Sequence, residues 1–557
     1  MTKVYNPILS GFHADPSILC VNGEYFIANS TFEWYPGVEI HRSKDLVHWS
    51  SVPSPLSEDR LLNMAGAYES CGIWAPCLSY SDGKFWLIYT NVRSWNKGPW
   101  KDTPNFLVTA ESIEGPWSDP VFLNASGFDP SMFHDDDGRH WLINMEWDYR
   151  KKGPNQFSGL LLQEYSATKK HLIGKPKKIF TGTDIGCLEG PHLYKRNGYY
   201  YIVAAEGGTG YEHAVTCARS KDLFGPYEVH PENPLISSYG YDDLKIKKAG
   251  HGSWCDSPDG KHTYLVYLCG RPLSGTLNCP LGRETSFAEL TWKDDWPYVM
   301  QPGGSLQNTP PEYVEVPIEV DSFPGERDSA LEGGKADDYC KVTRYDFSKR
   351  DFLLDFKTLR FPMFGKKQRK RFSLEERPGF LRIFGGQSFV SNFDQSIIAR
   401  RQTDFAFEAE TKVYFEPTYF QQLAGLTYRY DEDTQYNLCI TYDEQLGKVL
   451  QVQAFLPPVN YHPYAGSVSS YSEGMKIQLK GDGAVWLKLT VDNHKAYFSY
   501  SEDGSLWRKI RFEVNPDKVS DEFGGLGFTG AFVGMFACDF ETYSEYADFE
   551  YFKYTKN

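Results

Sequence analysis

Two periodicities predict an all-β protein, a five-bladed β-propeller followed by a C-terminal β-sandwich. The first is a unit of Asn/Asp-Gly, two variable residues and an apolar run. It recurs as NGEYFIANS (22–30), DGKFWLIYT (82–90), DGRHWLINM (137–145), NGYYYIVAA (197–205) and DGKHTYLVY (259–267). The starts lie 60, 55, 60 and 62 residues apart, the spacing of a turn and strand repeated once per blade. The second is period-two alternation after residue 341, in FLRIFGG (380–386), FAFEAETKVYF (405–415), YNLCITYD (436–443), KVLQVQAF (448–455), VWLKLTVDN (485–493) and KAYFSYSEDG (495–504). Turn signals separate these runs, and the five-fold repeat does not continue, so this half reads as a sandwich. Helical periodicity is nearly absent.

Each blade is justified in turn by its hairpin signal. Three segments, SKDLVHW (43–49), ESIEGPW (111–117) and SKDLFGPY (220–227), add a turn ending on an aromatic, as expected ahead of an outer strand. The propeller is assigned to 1–305. Residues 306–340, rich in Pro, Gly and acids (FPGERDSALEGGKADD), read as a linker, and 341–557 as the sandwich. The run KKQRKR (366–371) reads as a solvated loop rather than an anion site.

The 557 residues are enough for two or three domains. A net charge of −15 without a basic stripe argues against nucleic acid or an anionic membrane as partner. Aromatics make up 16% of the chain. Strands use them, and so do sugar-binding sites, where rings stack on CH-rich sugar faces. The 11 Cys are odd in number and include no CxxC, as in a chain kept reduced. The first residues, MTKVYNPILSGFHADPS, lack an apolar signal core, and no apolar run reaches membrane-spanning length. A cytoplasmic protein is expected.

Seven or eight residues before the five repeat starts stand Asp15, Trp74, Asp129, Glu189 and His251. Equivalent positions in successive blades converge on the axis, so the repeat gathers three carboxylates, a tryptophan and a histidine. Proline follows the carboxylates closely in ADPS (14–17), FDPSMF (128–133) and LEGPHLY (188–194). It is expected to hold the inner strand extended. A turn-capping role explains one Asp-Pro step but not three carboxylates at one blade phase. Such a cluster must divide its roles by environment. Glycoside hydrolysis needs an acid of raised pKa and an ionised carboxylate. Glu189, with its longer stem and apolar neighbours, fits the acid and Asp15 the base. Asp129 fits a group that holds the acid and raises its pKa. Carboxylates across an axis leave room for a water, which favours inversion.

HADPS (13–17), STFEWYPG (30–37), IWAPCL (73–78), GFDPSMF (127–133), CLEGPHLY (187–194), EGGTGYEHA (206–214), GHGSW (250–254), LGRETS (281–286) and GFTGAFVGM (527–535) resemble the motifs of glycoside hydrolase family 43, in particular its two-domain β-xylosidases. The resemblance covers nearly the whole chain. It implies a five-bladed inverting propeller with Asp15 as base, Glu189 as acid and Asp129 as modulator. It also implies Phe32 and Trp74 as pocket walls, Arg283 on sugar hydroxyls, and Phe532, with Phe528 close by, reaching the pocket from the second domain. No cofactor is required. His251 is either hydrogen-bonded in the axis or bound to a hydrated Ca²⁺. The implied activity is exo-release of D-xylose from the non-reducing ends of β-1,4-xylooligosaccharides, by a homo-oligomer (dimer or tetramer). Rival readings are an α-L-arabinofuranosidase or a bifunctional enzyme, a non-catalytic sugar-binding propeller, and a retaining fructan hydrolase.

Overall fold

The computed structural model describes residues 2–96, 98–317, 342–364, 370–457, 470–481, 483–523 and 527–557. Five contiguous segments each form one antiparallel blade. The inner strands are Ala14–Val21, Gly72–Ser81, Ser131–His134, Glu189–Arg196 and Lys247–Asp256. Each pairs with the strand built from its repeat. Three of the hairpins close on two residues with left-handed backbone at both, Asn22-Gly23, Asp82-Gly83 and Asn197-Gly198. That geometry matches strand twist and explains the Asn/Asp-Gly pair. The other two, 135–139 and 257–262, are longer loops.

Among the described residues no strand is shared between the sheets of the first and last blades. The ring closes through main-chain bonds, from the Ile8 amide to the Thr285 carbonyl at 2.9 Å and from the His13 amide to the Arg283 carbonyl at 2.7 Å, and through side chains: Asn6 Nδ2 donates to the Phe287 carbonyl at 2.8 Å, and Ser253 Oγ accepts from the Ile18 amide at 2.8 Å. An apolar cluster of Ile18, Tyr25, Ile27, Tyr264, Val266 and Phe287 fills the gap between those blades. Part of the stretch read as linker is ordered, because Tyr313–Val316 pairs antiparallel with Thr2–Tyr5. Residues 318–340 of it lie outside the described residues, as do 366–369 of the lysine–arginine run.

The second domain is a sandwich of two antiparallel sheets, and all six runs read from its sequence are strands. One sheet ends on a strand of the propeller. Trp34–Tyr35 pairs with Phe356–Leu359, Thr358 opposite Tyr35 and Leu359 opposite Trp34. That sheet is covered on both faces. Along Phe532–Asp539 every residue is buried. Val533, Met535 and Ala537 enter the sandwich core, while Phe532, Phe536 and Cys538 join the propeller's cluster. A strand buried on both faces loses its alternation and reads as a continuous apolar run.

The seam also holds charge. Lys357 Nζ lies 2.6 Å from Glu39 Oε1, and Arg401 bridges Glu39 and His13. Burial alone would raise the Glu39 carboxyl, but Arg401 and Lys357 outweigh it and hold it well below the usual range. Glu39 with His13 and His41 has ligand atoms close enough for a metal. The two cations already on Glu39 neutralise it, so the cluster is a domain clamp.

Gly282 is the tightest backbone approach across the seam. At φ +70° its added Cβ would stand 2.0 Å from the Thr529 carbonyl oxygen and 2.7 Å from Gly530 Cα. Backbone on both sides leaves no flexible atom to yield. Gly282→Ala should therefore cost about 2 kcal/mol or more, a Tm loss of roughly 4 °C or more. Gly83→Ala, at φ +71° with open space around its Cβ, should lose distinctly less. Equal losses in thermal unfolding would contradict the close approach.

Candidate active site

The five residues picked out by the repeat sit where the inner strands begin. They are turned toward the axis by a feature the sequence reading did not anticipate. Left-handed backbone occurs at Asp15 (φ 51°), Ala75 (37°), Asp129 (54°), Gly190 (55°) and His251 (49°). In four blades the ladder register slips there, between Ala14 and Ser17, Trp74 and Cys77, Glu189 and His192, and Gly250 and Gly252. Each slip is a β-bulge, which bends a strand and re-aims a side chain. A proline follows the left-handed residue in four blades, and in the three of these that carry a bulge the missing ladder donor falls within it. Left-handed Asp and His residues are costly, and such strain collects at functional sites.

Asp15, Asp129, Glu189 and His251 are all buried. Ser30 Oγ donates to Asp15 Oδ2 at 2.6 Å and itself accepts from the Ala75 amide at 2.7 Å, so the second blade orients the first blade's carboxylate. The Gly190 amide donates to Asp129 Oδ2 at 3.0 Å. Glu189 Oε1 is buried and has no hydrogen-bond partner in the protein. Burial, and then the Asp15 charge, push the Glu189 carboxyl up to about 8, against the opposing pull of Arg283 and Lys101. Asp129 is also driven well above the carboxylate range by burial, Glu189 and Asp15. Glu189 and Asp129 repel each other, as the sequence reading expected, and Asp15 adds its charge to both. Three acids in one dry site keep a shared proton.

His251 Nδ1 lies 3.5 Å from Asp15 Oδ1, and its ring packs so closely on Gly190 that a Cβ there would stand 2.8 Å from Nε2. Burial keeps it neutral by lowering its pKa; Asp15 works against that shift and Arg283 with it. Among the described residues no cluster of three metal-ligating side chains includes His251. A Ca²⁺ at His251 would therefore have to take most of its six to eight oxygens from water.

The loops joining second to third strands return to this end of the axis and build its walls. They carry Phe32, Arg283 and three residues that sequence reasoning missed: Trp95, Lys101 and, at the edge of the third blade's loop, Trp147. Trp74 is held by its Nε1 bond to the Ser70 carbonyl at 2.8 Å and meets Phe128 edge-on at 5.4 Å. Lys101 Nζ sits 4.3 Å above Trp147 and donates to the Trp95 carbonyl at 3.0 Å. Burial lowers Lys101 to about 8 while the Glu189 charge opposes the shift. Phasing the repeat would have exposed these loops, although nothing in their residue types marks them.

Phe532 does not take the place expected of it. Its ring is fully buried, stacked on Trp34 at 3.8 Å. The second-domain ring that meets the walls is Phe528, 5.7 Å from Phe32, 5.2 Å from Trp74 and 4.6 Å from Trp95. Its amide donates to Ser70 Oγ at 3.0 Å. Arg283 lies across the same ring at 4.6 Å, donates to the Gly527 carbonyl at 3.3 Å, and has Asp521 3.8 Å from Nε. That Nε has no hydrogen-bond partner. The second domain therefore fixes both a wall and a cation of the site.

Comparison with known proteins agrees with this architecture. Residues 4–297 match the model of Glycosyl hydrolases family 43, and 344–555 that of the Beta xylosidase C-terminal Concanavalin A-like domain. The chain is 44% identical to Xylosidase/arabinosidase 43B of Humicola insolens, covering 100% of this chain and 98% of that one. It is 43% identical to a Beta-xylosidase of Bacillus subtilis (strain 168), covering 99% of each. The crystal structure of a xylan beta-1,4-xylosidase from Bacillus halodurans C-125 superposes with a TM-score of 0.89 at 44% identity, over 99% of this chain and 100% of that one. The protein belongs to glycosyl hydrolase family 43 and carries that family's β-xylosidase C-terminal domain.

Proposed function

We propose that the protein is an inverting exo-β-1,4-xylosidase that releases D-xylose from the non-reducing ends of xylooligosaccharides. The observation that carries this reading is Glu189. It is a buried carboxyl held protonated near neutrality, with Oε1 unpartnered and two further carboxylates coupled to it. Asp15, oriented by Ser30, removes a proton from water as that water attacks the anomeric carbon. Glu189 gives its proton to the glycosidic oxygen as the bond breaks. Arg283 offers the Nε proton to a sugar hydroxyl. Asp129, held by the Gly190 amide, fixes the strand end from which Glu189 projects. Phe32, Trp74 and Phe528 close the sugar in apolar walls, which keeps the site dry and the acid protonated. A wall supplied by the second domain blocks one end and suits removal of a terminal residue.

Time-resolved NMR of xylobiose cleavage tests the reading. α-Xylose should appear first and β-xylose only by mutarotation. Initial β-xylose, or a trapped glycosyl-enzyme, would make Asp15 a nucleophile and overturn it.

Glu189→Ala should lower turnover on xylobiose by about 10²–10⁴-fold. An aryl xyloside with a good leaving group needs no proton and should lose far less. Equal losses would remove Glu189 from the acid role. Paired aryl xyloside and arabinofuranoside kinetics separate the two sugar specificities.

A further inference from the structure

Two of the largest exposed aromatics in the propeller are stacked on each other beside this pocket. Trp100 is 58% exposed and Tyr149 44%, with ring centroids 4.0 Å apart and planes 29° from parallel. A single exposed ring needs no explanation, but a stacked exposed pair at the rim of a site does. Trp100 lies in the loop between the second and third strands of the second blade, and Tyr149 in the corresponding loop of the third. Both loops return to the carboxylate end of the axis.

An aromatic trail leads from the pocket to Trp147, next to the pair. Trp74 meets Phe128 at 5.4 Å, and Phe128 meets Trp147 at 6.3 Å. Lys101, adjacent to Trp100, lies over Trp147 and within the field of Glu189. The platform is also fixed in place. Trp147 Nε1 donates to the Pro99 carbonyl at 2.8 Å, tying the two loops together. Arg150 grips Asp148 through two bonds, at 2.8 and 2.9 Å. Rings already ordered lose little entropy when a ligand covers them.

We infer that Trp100 and Tyr149 form a stacking platform for the leaving-group side of a β-1,4-xylooligosaccharide, beyond the first sugar that departs. Xylose carries no hydroxymethyl group, so its ring presents CH faces that lie flat on an indole. The inference rests on the xylosidase reading and adds a chain-length preference to it. The pocket walls hold the terminal xylose. The platform holds a residue further along the chain, so its effect grows with length.

Hydrolysis of xylobiose, xylotriose and xylotetraose tests this. In Trp100→Ala the ratio of kcat/KM for xylotetraose to that for xylobiose should fall roughly three- to ten-fold relative to wild type, as expected for one lost stacking contact. Tyr149→Ala should act in the same direction, and Trp100→Phe should retain most of the ratio. Phe122→Ala, an equally exposed ring (56%) on the outer edge of the second blade, should leave the ratio alone. A ratio unchanged in both Trp100→Ala and Tyr149→Ala would overturn the platform, as would a loss independent of chain length. A wild type inert on every xyloside would instead sink the underlying reading, and the platform with it.

Discussion

Three carboxylates closed into one dry centre cannot all be charged, and the organisation of this protein follows from that constraint. Like charges at short range in a medium poorer than water repel by several kcal/mol. The centre relieves this by keeping a proton. Asp15 has a hydroxyl donor fixed on it by Ser30, and Asp129 has the Gly190 amide. Glu189 Oε1 has no such donor. Burial and the Asp15 charge keep Glu189 protonated near neutrality, so it can hold the proton for the leaving oxygen.

Keeping that centre dry is the task of the seam. A sheet buried on both faces is stiff, and here it is extended by Trp34–Tyr35 of the propeller itself. A central strand of the same sheet begins at Phe532, so the loop just before it is pinned at both domains. Phe528 and Gly527 are thereby set against Trp74 and Arg283. The Glu39–Arg401–Lys357 clamp and the Gly282 approach hold the same two bodies together. Burial is the first cause of the raised Glu189 carboxyl, so the seam acts on the chemistry through the dielectric.

Much of this was legible in the sequence because a repeat carries phase as well as period. Phase alone placed Asp15, Trp74, Asp129, Glu189 and His251 at one end of one axis. Four things were not legible. The left-handed backbone at Asp15, Asp129 and His251 is a local conformation that no residue pattern announces. The choice between Phe528 and Phe532 depends on a strand boundary four residues away, which composition does not fix. The place of Lys101 and the second-domain contacts of Arg283 depend on which loops meet across blades and domains, a purely tertiary fact. The Trp34–Tyr35 strand belongs to the other domain's sheet, so no local pattern announces it.

The central claim is that Glu189 holds a proton at neutrality because it is buried beside Asp15. Infrared difference titration, wild type minus Glu189→Gln, reads that proton directly in the carboxyl C=O band. The band should be present at neutral pH, and it should vanish with a midpoint of about 8. In an Asp15→Asn background the same difference should titrate at lower pH, because the charge that raises Glu189 is gone. A Glu189 band that titrates near the ordinary carboxylate value of about 4, or a midpoint indifferent to Asp15, would contradict the account.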